Sequence, residues 1–246
     1  MSFLRFPHMR LIFLIFTILT LNNAHAQDGK PAWDNSYVYL EGNSVKGIPD
    51  KNLINTGKPI LLYFHGCGGL SSESKNWGET ISKLGFVVIT PDSFATPNRE
   101  KSCILGERKN KETRHFVKQL RQDEIKFSLN ELQRMKLKNK QVFIMGHSEG
   151  ANAVATYPFS NAAAIIVSGY TCWRGISANT SIPVLSVQWT NDPNFTNNHR
   201  EGVCEDHFKG RNKKSKQIML NGNGHEIFHS DTAKHEVEIF LKQFTK

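Results

Sequence analysis

A chain of 246 residues, 39% hydrophobic and 22% charged, suits one α/β domain with a full core, although length alone would also allow two small ones. The formal net charge of +9 is spread along "ERKNKETRHFVKQLRQ" and "KGRNKKSKQ", among acids and without regularly interleaved aromatics. That pattern describes a solvated basic surface and argues against a nucleic-acid partner.

The first segment has the form of an export signal. Arg5 and Arg10 precede an apolar run from Leu11 to Leu21, and Ala24-His25-Ala26 has the small-x-small form of a cleavage site. The run has 11 residues, against the ~20 that a membrane-spanning helix needs, and no cysteine follows that could carry a lipid. Residues 1–26 are therefore expected to be a removed signal peptide, and residues 27–246 a single domain, periplasmic or secreted, with no stable membrane insertion.

Ser36 to Val45 reads weakly as an edge hairpin. "PILLYFHG", Pro59 to Gly66, is an apolar β-rich run ended by glycines, and so a buried strand. A helix follows, with Trp77, Ile81 and Leu84 at helical spacing and Gly85 as its stop. Phe86 to Pro91 is a second strand. A polar loop from Ser93 to about Thr113 contains Cys103. Phe116, Leu120 and Phe127 then mark one face of a long charged helix.

Gln141 to Gly146 is a third buried strand, and Glu149 to Tyr157 opens a helix directly after it. Further strands are predicted at Ala162–Gly169, Ile182–Trp189 and Lys216–Leu220, and a terminal amphipathic helix at Thr232–Phe244. Strands alternating with helices imply right-handed crossovers and a mainly parallel sheet covered on both faces.

Cys67, Cys103, Cys172 and Cys204 all lie beyond the signal segment. An even count in an oxidising compartment points to two disulfides, with three possible connectivities. Nearness in sequence favours Cys67–Cys103 and Cys172–Cys204; four buried free thiols are the alternative.

The segment "IMGHSEGANA" contains G-x-S-x-G at Gly146, Ser148 and Gly150, between a hydrophobic strand and an alanine-rich helix. A serine on so sharp a turn has a strained backbone, and its neighbours two before and two after must lack side chains. The turn lifts Oγ above the sheet edge, and the Glu149 N–H at the helix start points where an oxyanion would form. An ordinary glycine-bounded turn is the competing reading. Glu149 is expected to be exposed beside the nucleophile.

Ser148 as nucleophile needs a base and an orienting acid, in the chain order Ser…Asp…His. Asp192 follows the strand "VLSVQW", where catalytic groups of open α/β sheets collect, and His225 follows the strand "KQIML" in a glycine loop. Asp192 before Pro193 also suits a turn, and Asp206 is the reserve acid. A second oxyanion donor is expected from the loop "HGCGG", His65 to Gly69, with the Cys67 N–H as first choice. His65 and His147 flank the site and are read as packing and hydrogen-bonding residues. Trp77, Trp173 and Trp189 are read as core or pocket wall.

These segments resemble the α/β-hydrolase superfamily and, within it, the dienelactone hydrolase-like family. The likeness rests on "LLYFHGCGGL", "GFVVITPDSF", "IMGHSEGANA", the aspartate after "VLSVQW", and "GNGHEIF". It implies an α/β-hydrolase fold and activity on a small-molecule ester, lactone or related acyl substrate, without a cofactor. By position it implies Ser148 as nucleophile, Asp192 as acid and His225 as base. The family's namesake enzymes have cysteine as nucleophile, so serine here puts dienelactone itself in doubt as substrate.

Two other readings compete. His225, Glu226 and His229 spell H-E-x-x-H, with His235 as a possible third zinc ligand. Thr232 replaces the glycine that the extended signature needs, and Gly222-Asn223-Gly224 favours a loop at His225, so no metal is expected. Cys204 to Phe208 crowds ligand-type residues too closely to chelate. A non-catalytic hydrolase-fold binding protein would be expected to lack the nucleophile, the base or the elbow glycines, and all are present.

Overall fold

The computed structural model describes residues 29–100, 103, 111–139, 141–195 and 202–245. The signal segment expected over residues 1–26 lies outside them, as does part of the polar loop that carries Cys103.

Eight strands form one sheet in the order β2-β1-β4-β3-β5-β6-β7-β8. β1 (Tyr37–Leu40) and β2 (Asn43–Lys46) are the expected edge hairpin, and β1 also runs antiparallel to β4 (Val87–Thr90). From β4 onward every pairing is parallel, through β3 (Ile60–Phe64), β5 (Val142–His147), β6 (Ala164–Ser168), β7 (Val184–Asn191) and β8 (Lys216–Asn223). β3, β4 and β6 are buried along their whole length, which is why they read as continuous apolar runs rather than as alternating ones.

Helices cover both faces and divide the core into two clusters. One contains Leu62, Ile144 and Val167 of alternate strand positions; the other contains Leu61, Phe143 and Ile166. The short helices are α1 (Lys30–Asp34) and α2 (Lys51–Ile54). The longer ones are α3 (Ser72–Lys83), α4 (Lys111–Met135), α5 (Glu149–Thr156) and α6 (Asp231–Lys242). Among the described residues no helix is long and apolar enough to cross a membrane.

α4 keeps two of its three predicted inner positions, Leu120 buried and Phe127 packed against the core, but Phe116 is half exposed and Val117, Arg121, Glu124, Ile125 and Ser128 are also buried. Arg121 and Glu124 satisfy each other's charge at 2.7 Å, which lets a charged pair occupy the inner face.

The predicted disulfides are present. Cys67 pairs with Cys103 (Cα–Cα 5.5 Å) and Cys172 with Cys204 (4.8 Å), both inside the span that a disulfide bridges.

Candidate active site

β5 turns into α5 through Ser148 alone. Its φ of 54° and ψ of −114° lie outside the regions a serine ordinarily occupies. The turn is over-determined by its neighbours. Ser148 N–H donates to the Ser168 carbonyl at 2.9 Å, and its own carbonyl accepts from Asn152 N–H at 2.9 Å to start α5. A Cβ on Gly150 would lie 2.0 Å from the Phe64 carbonyl oxygen, and one on Gly146 would lie 2.5 Å from that of Gly150. Both elbow glycines are therefore demanded by backbone passing backbone.

Asp192 follows β7 directly and is almost wholly buried. Its Oδ2 accepts from His225 Nδ1 at 2.7 Å, while Oδ1 accepts the Asn194 N–H at 2.9 Å. One carboxylate thus both caps its own turn and holds the His225 ring. Asp206 sits on an exposed 3₁₀ turn, Cys204–His207, and a different carboxylate holds the His225 ring. The His225 ring packs against His147, the residue before Ser148, at 4.9 Å between centroids, and against Phe195 at 6.0 Å.

Three other anchors hold the segment after His225. Trp189 Nε1–H donates to the Glu226 carbonyl at 2.9 Å. Ile227 N–H and Phe228 N–H donate to the buried Glu73 carboxylate at 3.1 Å each. The same carboxylate accepts the Trp77 indole N–H at 2.9 Å. Burial raises the Glu73 carboxyl, and the bonds from Trp77, Phe228 and Ile227 pull it back down.

The H-E-x-x-H spelling has no helix beneath it. β8 ends at Asn223, residues 224–230 form a bend and turn, and α6 starts at Asp231 with Ser230 as its N-cap. Glu226 and His229 precede it. His229 and His235 are exposed. Among the described residues no three His, Cys, Asp or Glu side chains converge as metal ligands.

The loop after β3 lies against the elbow: a Cβ on Gly66 would come 3.2 Å from the Ser148 Cβ. Its carbonyls are tied inward. His65 Nδ1–H donates to the Gly66 carbonyl at 2.7 Å, joined by Gly69 N–H at 3.2 Å, and Arg121 donates to the His65 carbonyl at 2.8 Å. A trans peptide then turns the Cys67 N–H away from the bonded Gly66 oxygen. His65 Nε2 accepts Ser93 N–H at 3.0 Å, which defines the neutral Nδ1–H tautomer. Burial first, and the Arg121 charge second, hold its pKa well below the ordinary histidine value.

His147 is likewise kept neutral, with a pKa lowered to about 3 by burial and then by His225. Its Nδ1 meets Ser168 Oγ at 3.2 Å, and that hydroxyl donates to the Gly146 carbonyl at 3.0 Å. Both histidines flanking the site are thus packed, hydrogen-bonded residues.

Glu149 corrects one expectation. Its side chain is not displayed beside Ser148 but is 13% exposed, bonded to Arg99 and 3.8 Å from the Arg121 guanidinium. Arg99 also donates to Ser93 Oγ at 3.1 Å, and that hydroxyl donates to Glu124 at 2.5 Å. A buried charge here requires a partner, and the two arginines supply it. Glu73, Ser93, Arg99, Arg121 and Glu124 carried no signal in the sequence, because charged residues in a helix or polar loop read as solvated.

The profile of the dienelactone hydrolase family matches residues 47–239. Among solved structures, a phospholipase/carboxylesterase from Dyadobacter fermentans superposes with TM-score 0.58 at 14% identity, covering 85% of this chain and 96% of that one. Dienelactone hydrolase from Anabaena variabilis gives 0.54 at 14% identity, covering 78% and 89%. Est1E from Butyrivibrio proteoclasticus gives 0.54 at 14% identity, covering 85% and 93%. No functionally curated protein matches the sequence. At such identities the superpositions establish the α/β-hydrolase fold.

Proposed function

Because the chain belongs to the dienelactone hydrolase family of α/β-hydrolases, we propose that it is an exported serine hydrolase acting on a small ester, lactone or related acyl compound. The observation that carries this reading is the 2.7 Å Asp192–His225 bond beside a strained Ser148 elbow. Family membership supports an ester hydrolase in the broad sense; serine as nucleophile is the reading particular to this chain.

In this mechanism His225 Nδ1–H stays bonded to Asp192, so Nε2 is the nitrogen that takes the Ser148 proton. The alkoxide attacks the acyl carbon, and the oxyanion is met by the Cys67 and Glu149 N–H groups. Each such donor contributes about 3–4 kcal/mol of transition-state stabilisation. The proton on Nε2 passes to the leaving oxygen, leaving an acyl-Ser148 ester. His225 then deprotonates water for the second attack, and Ser148 leaves with the proton returned. No cofactor is needed. The two disulfides and the leader pattern support a periplasmic or extracellular site of action.

A fluorophosphonate probe tests the assignment. The mature protein should label covalently with or without a zinc chelator. Ser148→Ala should lose the label and about 10⁴-fold or more of ester turnover. His225→Ala should fall almost as far, while the exposed His229→Ala keeps most of its activity. Undiminished labelling of Ser148→Ala, chelator-sensitive turnover, or equal losses from both histidines would overturn the proposal.

A further inference from the structure

Glu73 is a buried carboxylate, and among the described residues no arginine or lysine bonds to it; its hydrogen-bond donors there are the Trp77 indole and the backbone N–H groups of Ile227 and Phe228. The last two lie 154 and 155 positions away in sequence, immediately after His225. We infer that Glu73 is a positioning residue for His225: it clamps the backbone two and three residues beyond the imidazole and so sets where Nε2 meets Ser148. The inference rests on the triad reading given above and names a further part of the same site.

The chain around Glu73 supports this role. Glu73 is the second residue of α3, which begins directly after the glycine loop that lies on Ser148. One carboxylate therefore ties the loop bearing the Cys67 N–H to the loop bearing the base. The side chain of His225 is held by Asp192, and the carbonyl of Glu226 by Trp189. Neither fixes the chain direction beyond Glu226. Glu73 does, because a carboxylate accepting two successive N–H groups constrains both peptide planes. Gly224 is pressed against the Trp189 indole, 2.7 Å from where its Cβ would stand, so the segment has backbone contacts on both sides of His225. An imidazole on a loop needs such support, since a displacement of about 1 Å at a reacting group can cost about 100-fold in rate.

The substitutions Glu73→Gln and Glu73→Ala test it in the full mature chain. In Glu73→Gln the amide oxygen still accepts from Trp77, Ile227 and, at 3.2 Å, Phe228, but the NH₂ replaces the oxygen that accepts the Phe228 N–H at 3.1 Å and faces it donor against donor. Glu73→Ala removes every acceptor. With a chromogenic ester, kcat should fall about tenfold in Glu73→Gln and about 100-fold in Glu73→Ala, with KM within about threefold of wild type. Leu132→Ala, in α4 and away from the site, serves as a control that lowers Tm by loss of core packing. Its kcat, measured well below its Tm, should stay within about threefold of wild type.

Wild-type kcat in Glu73→Gln would overturn the inference, and so would kcat losses that match those of Leu132→Ala at equal Tm. If Glu73→Ala does not fold, Glu73→Gln alone decides. Turnover surviving in Ser148→Ala would remove the triad and the inference with it. An inactive Ser148→Ala beside a fully active Glu73→Gln would remove the inference only.

Discussion

Ser148 occupies a backbone conformation that costs of order 1–3 kcal/mol, and two glycines make it attainable. Glycines near the site differ in what they do. Gly150 has no room for a Cβ, because the obstacle at 2.0 Å is the backbone carbonyl of Phe64, the last residue of β3. Gly68, in the loop after β3, has nothing within 4 Å. Gly150→Ala should therefore destabilise by at least about 3 kcal/mol, or fail to fold, while Gly68→Ala stays within about 0.5 kcal/mol of wild type in urea unfolding. Equal stabilities would mean that the strand and helix at the elbow can part without penalty. This contrast was half legible: G-x-S-x-G marked Gly146 and Gly150 by spacing, whereas the freedom at Gly68 depends on what lies opposite it. Glu73 was not legible at all, since its backbone partners lie more than 150 positions away.

At the scale of elements, the loop from His65 to Gly69 is shaped by the helix α4 beneath it. Arg121 reaches from that helix to the His65 carbonyl, and Glu124 reaches Ser93, whose N–H fills the other side of the His65 ring. Apolar spacing predicted α4 but chose Phe116 for its inner face, because a charged pair that neutralises itself cannot be told from a solvated one by pattern. His65→Leu should leave the Gly66 carbonyl and the Ser93 N–H without their ring partners and let the Cys67 peptide rotate. Ester kcat should drop about 10- to 100-fold with KM little changed, short of the full loss of an oxyanion donor. A His65→Leu enzyme with wild-type kcat would show that the disulfide to Cys103 suffices to hold the loop.

Across the whole molecule, every part of the site stands at the C-terminal end of a parallel strand: β3 gives the glycine loop, β5 Ser148, β7 Asp192 and β8 His225. The structure bonds Asp192 to His225 and packs His225 against the residue before Ser148. Strand order and strand ends could be read from hydrophobic runs, which is why the three triad candidates could be named from the sequence. The charged groups buried around them could not, and they set how stability responds to pH. His65 and His147 are buried neutral, with folded pKa values depressed below about 6.5 in the unfolded chain. As pH falls below 6.5 the unfolded state binds protons that the native state refuses, so stability falls. Glu73 and Glu124 act with the opposite sign, because burial raises their folded values and the native state takes protons first. Their contribution runs from those raised folded values down to about 4.5 and offsets the histidines over that window. The loss from each ring that stays neutral in the native state steepens as pH falls through about 6.5, toward about 1.4 kcal/mol per pH unit. For His147, titrating near 3 in the native state, this amounts to about 2 kcal/mol by pH 5. Unfolding free energies from urea titrations at pH 7, 6 and 5 check the sign. His147→Gln, which keeps a polar group toward Ser168 but no titrating ring, should flatten the slope by about one proton. An unchanged slope in that variant would mean that His147 takes up its proton as readily in the native state as in the unfolded chain.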